Sequence, residues 1–198
     1  MSELTTRDKL LEAAIELFSE KGFAATGVDE IAESIGIKGP NLYKYFKGKS
    51  ALLEAIMSEA DAAYNERMGL DCKAIQIPQN GAELKLMMLG QLEYTMNNPK
   101  FRKLRKLFTI EQYRDETFSN WATLHQITNM QKQYAHILHE MIIGGQMAEC
   151  DTEILALEYI SPITLMIQLC DRQPERYQEI MSIIEKHIDQ FIETYLPR

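Results

Sequence analysis

The stretch from Val28 to Phe46 constrains the fold more than any other part of the chain. Val28, Ile31, Ala32 and Ile35 recur at the 3,4 spacing of one helical face, and Gly36 stops that helix early. Ile37 and Lys38 make a turn. Gly39 and Pro40 then open a second short helix that runs to Phe46, with proline where its missing N–H costs nothing. Leu42 and Phe46 share one side of it. A small residue (Ala32), a glycine able to take positive φ (Gly36) and a large apolar residue (Leu42) let two short helices lock across a tight turn. This is the pattern of a helix-turn-helix, and it leaves one face of the second helix unburied.

That free face suits a nucleic acid. Asn41 can make two hydrogen bonds to a base edge, adenine above all. Tyr43 and Tyr45 offer hydroxyls to phosphates, and Lys38, Lys44 and Lys49 offer charge. Pro40 begins the reading helix, and Gly39 is expected to let the backbone approach DNA. Thr26 is expected to cap the preceding helix, with Asp29 three residues on, and to bind a phosphate there beside free amides. The formal net charge of −8 looks hostile to such a partner, but its distribution matters more than its sum. Residues 34–53 hold four lysines and no acid. Residues 1–50 hold 7 basic and 8 acidic side chains, against 14 and 21 in the remainder.

The rest of the chain reads as helix throughout. A first helix over 6–21 starts at a Thr5–Asp8 capping box, carries Leu11, Ala14, Ile15 and Phe18 as a stripe, and ends at Gly22 under Phe23. Longer helices are expected near 49–68, 82–97, 100–115, 118–143, 152–171 and 174–195, with a loop from Gly69 to Gly81. The fold class is all-α with about nine helices: an N-terminal DNA-binding domain over residues 1–48, then a larger helical domain over 49–198. No apolar run is expected to reach the ~18 residues of a membrane span. Met1 to Lys9 has no signal-peptide core, so a cytoplasmic location is expected. Cys72, Cys150 and Cys170 are odd in number and far apart, which fits reduced thiols. With no phosphate-binding glycine loop, nucleophile elbow or HExxH, the chain does not read as an enzyme and calls for no cofactor.

The run Thr26-Gly27-Val28-Asp29-Glu30-Ile31-Ala32, then Gly36 through Lys49, then Leu52-Leu53, resembles the tetracycline-repressor (TetR) family. The likeness is specific over about residues 6–57; beyond them only helix number, length and order agree, with Gly145-Gln146-Met147 before a helix. Tyr45 departs from the family, where many members carry His. The resemblance implies a homodimeric regulator, usually a repressor, whose first three helices bind a palindromic operator on double-stranded DNA. It also implies a helical domain that binds a small apolar or amphipathic effector and changes the spacing of the two reading heads.

Further features belong to that larger helical part. Ile180, Ile184, Ile188 and Phe191, with Ile163 and Ile167 on the preceding helix, repeat at helical spacing and suit a four-helix dimer interface; a monomer burying them internally is the alternative. Pro162 is expected to kink that preceding helix. Met88, Leu92, Phe108, Trp121, Met130, Tyr134 and Met166 can line an apolar pocket or simply form core. Trp121 and Tyr134 join apolar area to a hydrogen-bonding group. His136, His139 and Glu140 lack the second cluster that would complete a metal site. Lys100, Arg102, Lys103, Arg105 and Lys106 read as a solvated basic face, or as a contact to DNA or to an acidic neighbouring face. A regulator controlled by a protein partner, and a helical carrier of apolar molecules, are the competing functions.

Overall fold

A computed structural model describes residues 4–68 and 76–196; Cys72 and most of the loop expected from Gly69 lie outside them. The described residues are helical with no strand. In chain order they form α1 (Thr6–Lys21), α2 (Val28–Ser34), α3 (Gly39–Leu42), α4 (Lys49–Met68), α5 (Gly81–Asn97), α6 (Pro99–Glu111) and α7 (Glu116–Thr123). A π-helical turn (Leu124–Thr128), α8 (Asn129–Ile143), α9 (Thr152–Arg172), a 3₁₀ turn (Pro174–Arg176) and α10 (Tyr177–Tyr195) follow. Because α7, the π turn and α8 run on without a break, the single helix expected near 118–143 is recovered and nine helical rods result.

Local chemistry accounts for most boundaries. At α1 the capping box is present: Asp8 N–H donates to Thr5 Oγ1 and Thr5 N–H donates to Asp8 Oδ2, each at 3.2 Å. Phe23 turns back onto Phe18, with ring centroids 5.1 Å apart, as expected. Asn98 caps α6 ahead of Pro99, and Asp151 caps α9. Two helices stop sooner than the periodicity predicts. After Leu42 the bonds tighten, with Tyr45 N–H donating to the Leu42 carbonyl at 2.9 Å, so 43–45 form a turn. α6 ends at Glu111 for a similar reason, Arg114 N–H reaching back to the Glu111 carbonyl at 2.8 Å.

The chain packs as two compact units, which divide it differently from a cut after residue 48. The first comprises the described residues of 1–72 and 98–119, the second those of 73–97 and 120–198. In the first unit α4 and α6 both pack on α1. Its interior holds Leu10, Ala14 and Phe18 from α1, Leu52 and Ile56 from α4, and Leu104, Leu107 and Phe108 from α6. The basic run on α6 is partly used inside this unit. Lys100 Nζ lies 3.1 Å from Glu59 Oε2, whose other oxygen lies 2.7 Å from Arg7 Nη1, and Lys103 pairs with Glu16. Lys100 and Lys103 thus meet acids of their own unit, while Arg102 and Lys106 are exposed.

The second unit has one core, drawn from α5, α8, α9 and α10. Ile180, Ile184, Ile188 and Phe191 all point into it and are almost wholly buried, as is Ile163. The expected dimer residues are therefore corrected: a helical stripe reports burial but not by whom, and here the chain buries these itself. Of that set only Ile167 is partly exposed. The apolar residues left outside are others, Ile154 (54% exposed), Leu157 (44%) and Leu165 (58%) on α9 and Ile183 (41%) on α10. α9 runs through Pro162 and is long and apolar enough, by length and composition, to cross a bilayer, yet its inner stripe is built into this helical core.

Candidate nucleic-acid interface

The turn between α2 and α3 is set by one glycine. Gly36, at φ +78°, lets its own N–H reach the Glu33 carbonyl at 2.9 Å and the Ile37 N–H reach the Ala32 carbonyl at 3.1 Å. This double bond pattern closes a helix end only when the residue after the cap is left-handed. Ala32 and Leu42 are completely buried, so the small-plus-large packing read from the sequence is what joins the two helices.

Gly39 has a different role from the one expected. It is buried, and a Cβ there would fall 1.7 Å from Asp29 Oδ1, so its size serves the approach of α3 to the start of α2 rather than to DNA. Of the remaining candidates, Lys38, Pro40, Lys44, Tyr43 (59%) and Tyr45 (46%) are exposed, and Asn41 is half-exposed on α3. Lys47 is exposed as well. The exposed polar side chains of this stretch are thus three cations and two phenols, with the Asn41 amide among them in sequence.

Thr26 and Lys49 belong elsewhere. Thr26 is 1% exposed, and its hydroxyl is spent on main-chain carbonyls, Gly22 at 2.8 Å and Leu17 at 3.3 Å. It therefore does not cap α2, whose N-cap is Gly27 with no side-chain bond, and its hydroxyl is turned to the main chain rather than to the surface. Lys49 Nζ donates to the carbonyls of Phe23 (2.8 Å), Ala24 (3.1 Å) and Thr26 (3.3 Å) and sits 4.7 Å over the Phe23 ring. An ammonium with three carbonyl acceptors and an aromatic face is occupied.

The sequence reading missed Glu111. This carboxylate, 3% exposed at the end of α6, accepts from Phe23 N–H at 2.8 Å and presses on Gly22. The Phe23 residue is thus bracketed, its N–H by an acid from α6 and its carbonyl by a base from α4. Because this segment joins α1 to α2, the two charges hold the entry to the helix-turn-helix. A signal existed: Glu111 continues the stripe of Leu104, Leu107 and Phe108 at helical spacing, and an acid there needs a buried donor.

The expected pocket residues are divided between the two units. Met88, Leu92 and Tyr134 are buried in the core of the second unit, with Met130 and Met166 packed partly exposed against it. Phe108 belongs to the first unit, where its ring lies 6.4 Å from that of Phe118. Trp121 stacks on His125 at 4.2 Å. The Tyr134 hydroxyl donates to Gln91 Oε1 at 2.7 Å and lies 3.4 Å from Met88 Sδ.

Comparison with known proteins falls on the same residues. Positions 10–56 match the family model described as bacterial regulatory proteins, tetR family. Over 98% of this chain and 89% of the relative, the sequence is 26% identical to a probable HTH-type transcriptional regulator, YttP, of Bacillus subtilis (strain 168). A 48-residue stretch, 24% of this chain and 26% of the relative, is 46% identical to IcaR of Staphylococcus aureus (strain Newman), the negative transcriptional regulator of the biofilm operon icaADBC. The fold is similar to SmeT, the repressor of the Stenotrophomonas maltophilia multidrug efflux pump SmeDEF. The TM-score is 0.71 at 19% identity, over 98% of this chain and 91% of that one. SmeT in complex with triclosan gives 0.73 at 20% identity, over 97% and 92%.

Proposed function

We propose that the chain is a DNA-binding transcriptional regulator of the TetR family and that it acts as a homodimeric repressor of a palindromic operator, released by a small apolar or amphipathic effector. The observation that carries the reading is the exposed group Lys38, Pro40, Tyr43, Lys44 and Tyr45 around Asn41, on a helix locked from behind by Leu42. Asn41 reads a base edge, and the lysines and tyrosines hold the backbone on either side. Acidic charge elsewhere limits non-specific binding of the cytoplasmic protein.

Two-fold symmetry of operator and protein go together. The outward apolar residues of α9 and α10, Ile154, Leu157, Leu165 and Ile183, support a dimer through these helices. SmeT, a repressor of similar fold that has been solved with triclosan, supports control by a small molecule. The first 48 residues then do the reading and the remainder senses and dimerises.

A mobility-shift assay with DNA fragments from around the protein's own gene tests this. At moderate salt one fragment is retarded specifically, and Asn41→Ala reduces its preference over random DNA by about 1–3 kcal/mol. If no fragment is bound specifically, the repressor reading fails. Equal losses on operator and random DNA remove Asn41 from base reading.

A further inference from the structure

Among the described residues three buried polar atoms lack a hydrogen-bond partner: Gln133 Nε2, Gln146 Oε1 and the Tyr159 hydroxyl. The two glutamines are partly exposed side chains, and Gln146 already donates to Gln79 Oε1 at 3.1 Å. Tyr159 differs. It is completely buried on the inner stripe of α9, with its ring 4.5 Å from Phe191, 5.3 Å from Tyr134 and 6.2 Å from His187. Its main-chain carbonyl is engaged, accepting from His187 Nε2 at 2.9 Å, while its hydroxyl is not.

Burying a hydroxyl without a partner is unfavourable, and phenylalanine would fill the same aromatic site without that cost. The neighbouring Tyr134 shows the ordinary solution, a hydroxyl paired with Gln91. We propose that the Tyr159 hydroxyl is the donor that holds the effector, and that the effector is an uncharged aromatic molecule carrying an acceptor oxygen, of the aryl ketone kind. This rests on the effector reading above and names the ligand class for it.

The surroundings select that class. Burial holds the phenol pKa well above its ordinary value, so the group remains a donor at every working pH. The buried charged side chain among the described residues, Glu111, lies in the other unit, as do the buried Ser19 and Thr26, so the buried core around Tyr159 holds no charged side chain. Aromatic rings flank the Tyr159 ring and favour a flat guest. Met88, Met130, Met141 and Met166 contribute to the same core, and unbranched thioether side chains yield to a guest at small cost.

Matched probes test the assignment on the full-length protein. Benzophenone and diphenylmethane differ by the carbonyl oxygen alone, as do 9-fluorenone and fluorene. Titration calorimetry on wild type should show each ketone binding about tenfold more tightly than its hydrocarbon, and Tyr159→Phe should erase that preference by weakening the ketone only. Without probe, Tyr159→Phe should melt at or above the wild-type temperature, since it removes an unpaired group. The inference is overturned if the variant melts lower, if it keeps the preference, or if wild type binds neither ketone. A mobility shift with the same probes separates the two ideas. Ketone binding that depends on Tyr159 but leaves the operator complex intact overturns effector control and sustains the site. Operator release indifferent to Tyr159 does the reverse.

Discussion

The two units of this chain solve the problem of buried polarity in opposite ways. In the unit that carries the helix-turn-helix, Ser19, Thr26 and Glu111 are buried and each is bonded to the main chain. In the other unit the core is apolar and rich in methionine, and it leaves the Tyr159 hydroxyl unpaired. Directed bonds fix a geometry, whereas methionine contacts adapt to what arrives. A reading head gains from the first because operator register tolerates little error, and a sensing core gains from the second. The comparison can be broken by substitutions that act on one unit and not on the other.

The largest effect should come from the last two helices. Ile184→Asp puts an unpaired charge in the second core and should cost about 4 kcal/mol or more, abolishing cooperative unfolding of that unit in denaturant titrations followed by circular dichroism. Leu165→Asp, on the exposed side of α9, should leave helix content intact and turn the dimer into monomers by sedimentation. A Leu165→Asp protein that stays dimeric moves the interface away from that stripe.

Next in size is Glu111→Ala, which strands the Phe23 N–H and should cost about 1.5–3 kcal/mol in denaturant. Operator binding should weaken with it, while Glu111→Gln, which keeps an acceptor, recovers most of both. If Glu111→Ala is neutral in stability and affinity, the entry to the helix-turn-helix is not held from α6.

Lys44 and Lys49 sharpen the same distinction at about 1 kcal/mol. Both are lysines of the acid-free stretch, but Lys44 faces solvent and Lys49 holds three carbonyls. Lys44→Ala should lower the slope of log affinity against log salt by about one charge per protomer. Lys49→Met should reduce stability and leave the salt slope unchanged. A slope that falls equally for both returns Lys49 to the phosphate contacts.

These two lysines also show where sequence reading stops. Several helix limits were legible because their causes are local: Thr5 with Asp8, Gly36 after Ile35, Asn98 before Pro99. Ala32 and Leu42 were legible because close packing admits few residue types. Whether a charge meets solvent or a distant main chain is decided by tertiary neighbours, Phe23 for Lys49, and no spacing records that. The α10 stripe was misassigned for a related reason: periodicity tells that Ile184 is covered, but a chain's own α5 and α9 cover it as well as a second copy would.

The smallest effect should be one of pH. Burial alone would raise the Glu59 carboxyl, but hydrogen bonds from Arg7 and Lys100 outweigh it and hold the group below its ordinary value of 4.5. A carboxyl depressed in the folded state stabilises it above the unfolded value, and that share is lost as pH falls through the folded value. The Glu59 contribution is therefore complete at neutral pH and fades below about pH 4.5. Since the side chain is 41% exposed, solvent screens the pair and a few tenths of a kcal/mol is the scale to expect. Acid unfolding of wild type and Glu59→Gln should differ slightly at pH 6 and converge at low pH. Hydrogen exchange should then find α1 and α4 loosening before the apolar core of α9 and α10, because Glu59 ties α4 to α1 and α6 through ion pairs, whereas the core between α9 and α10 is apolar. Loosening of both units together would mean that polar ties contribute nothing distinctive to the reading head, and the contrast between the two cores would lie in composition alone.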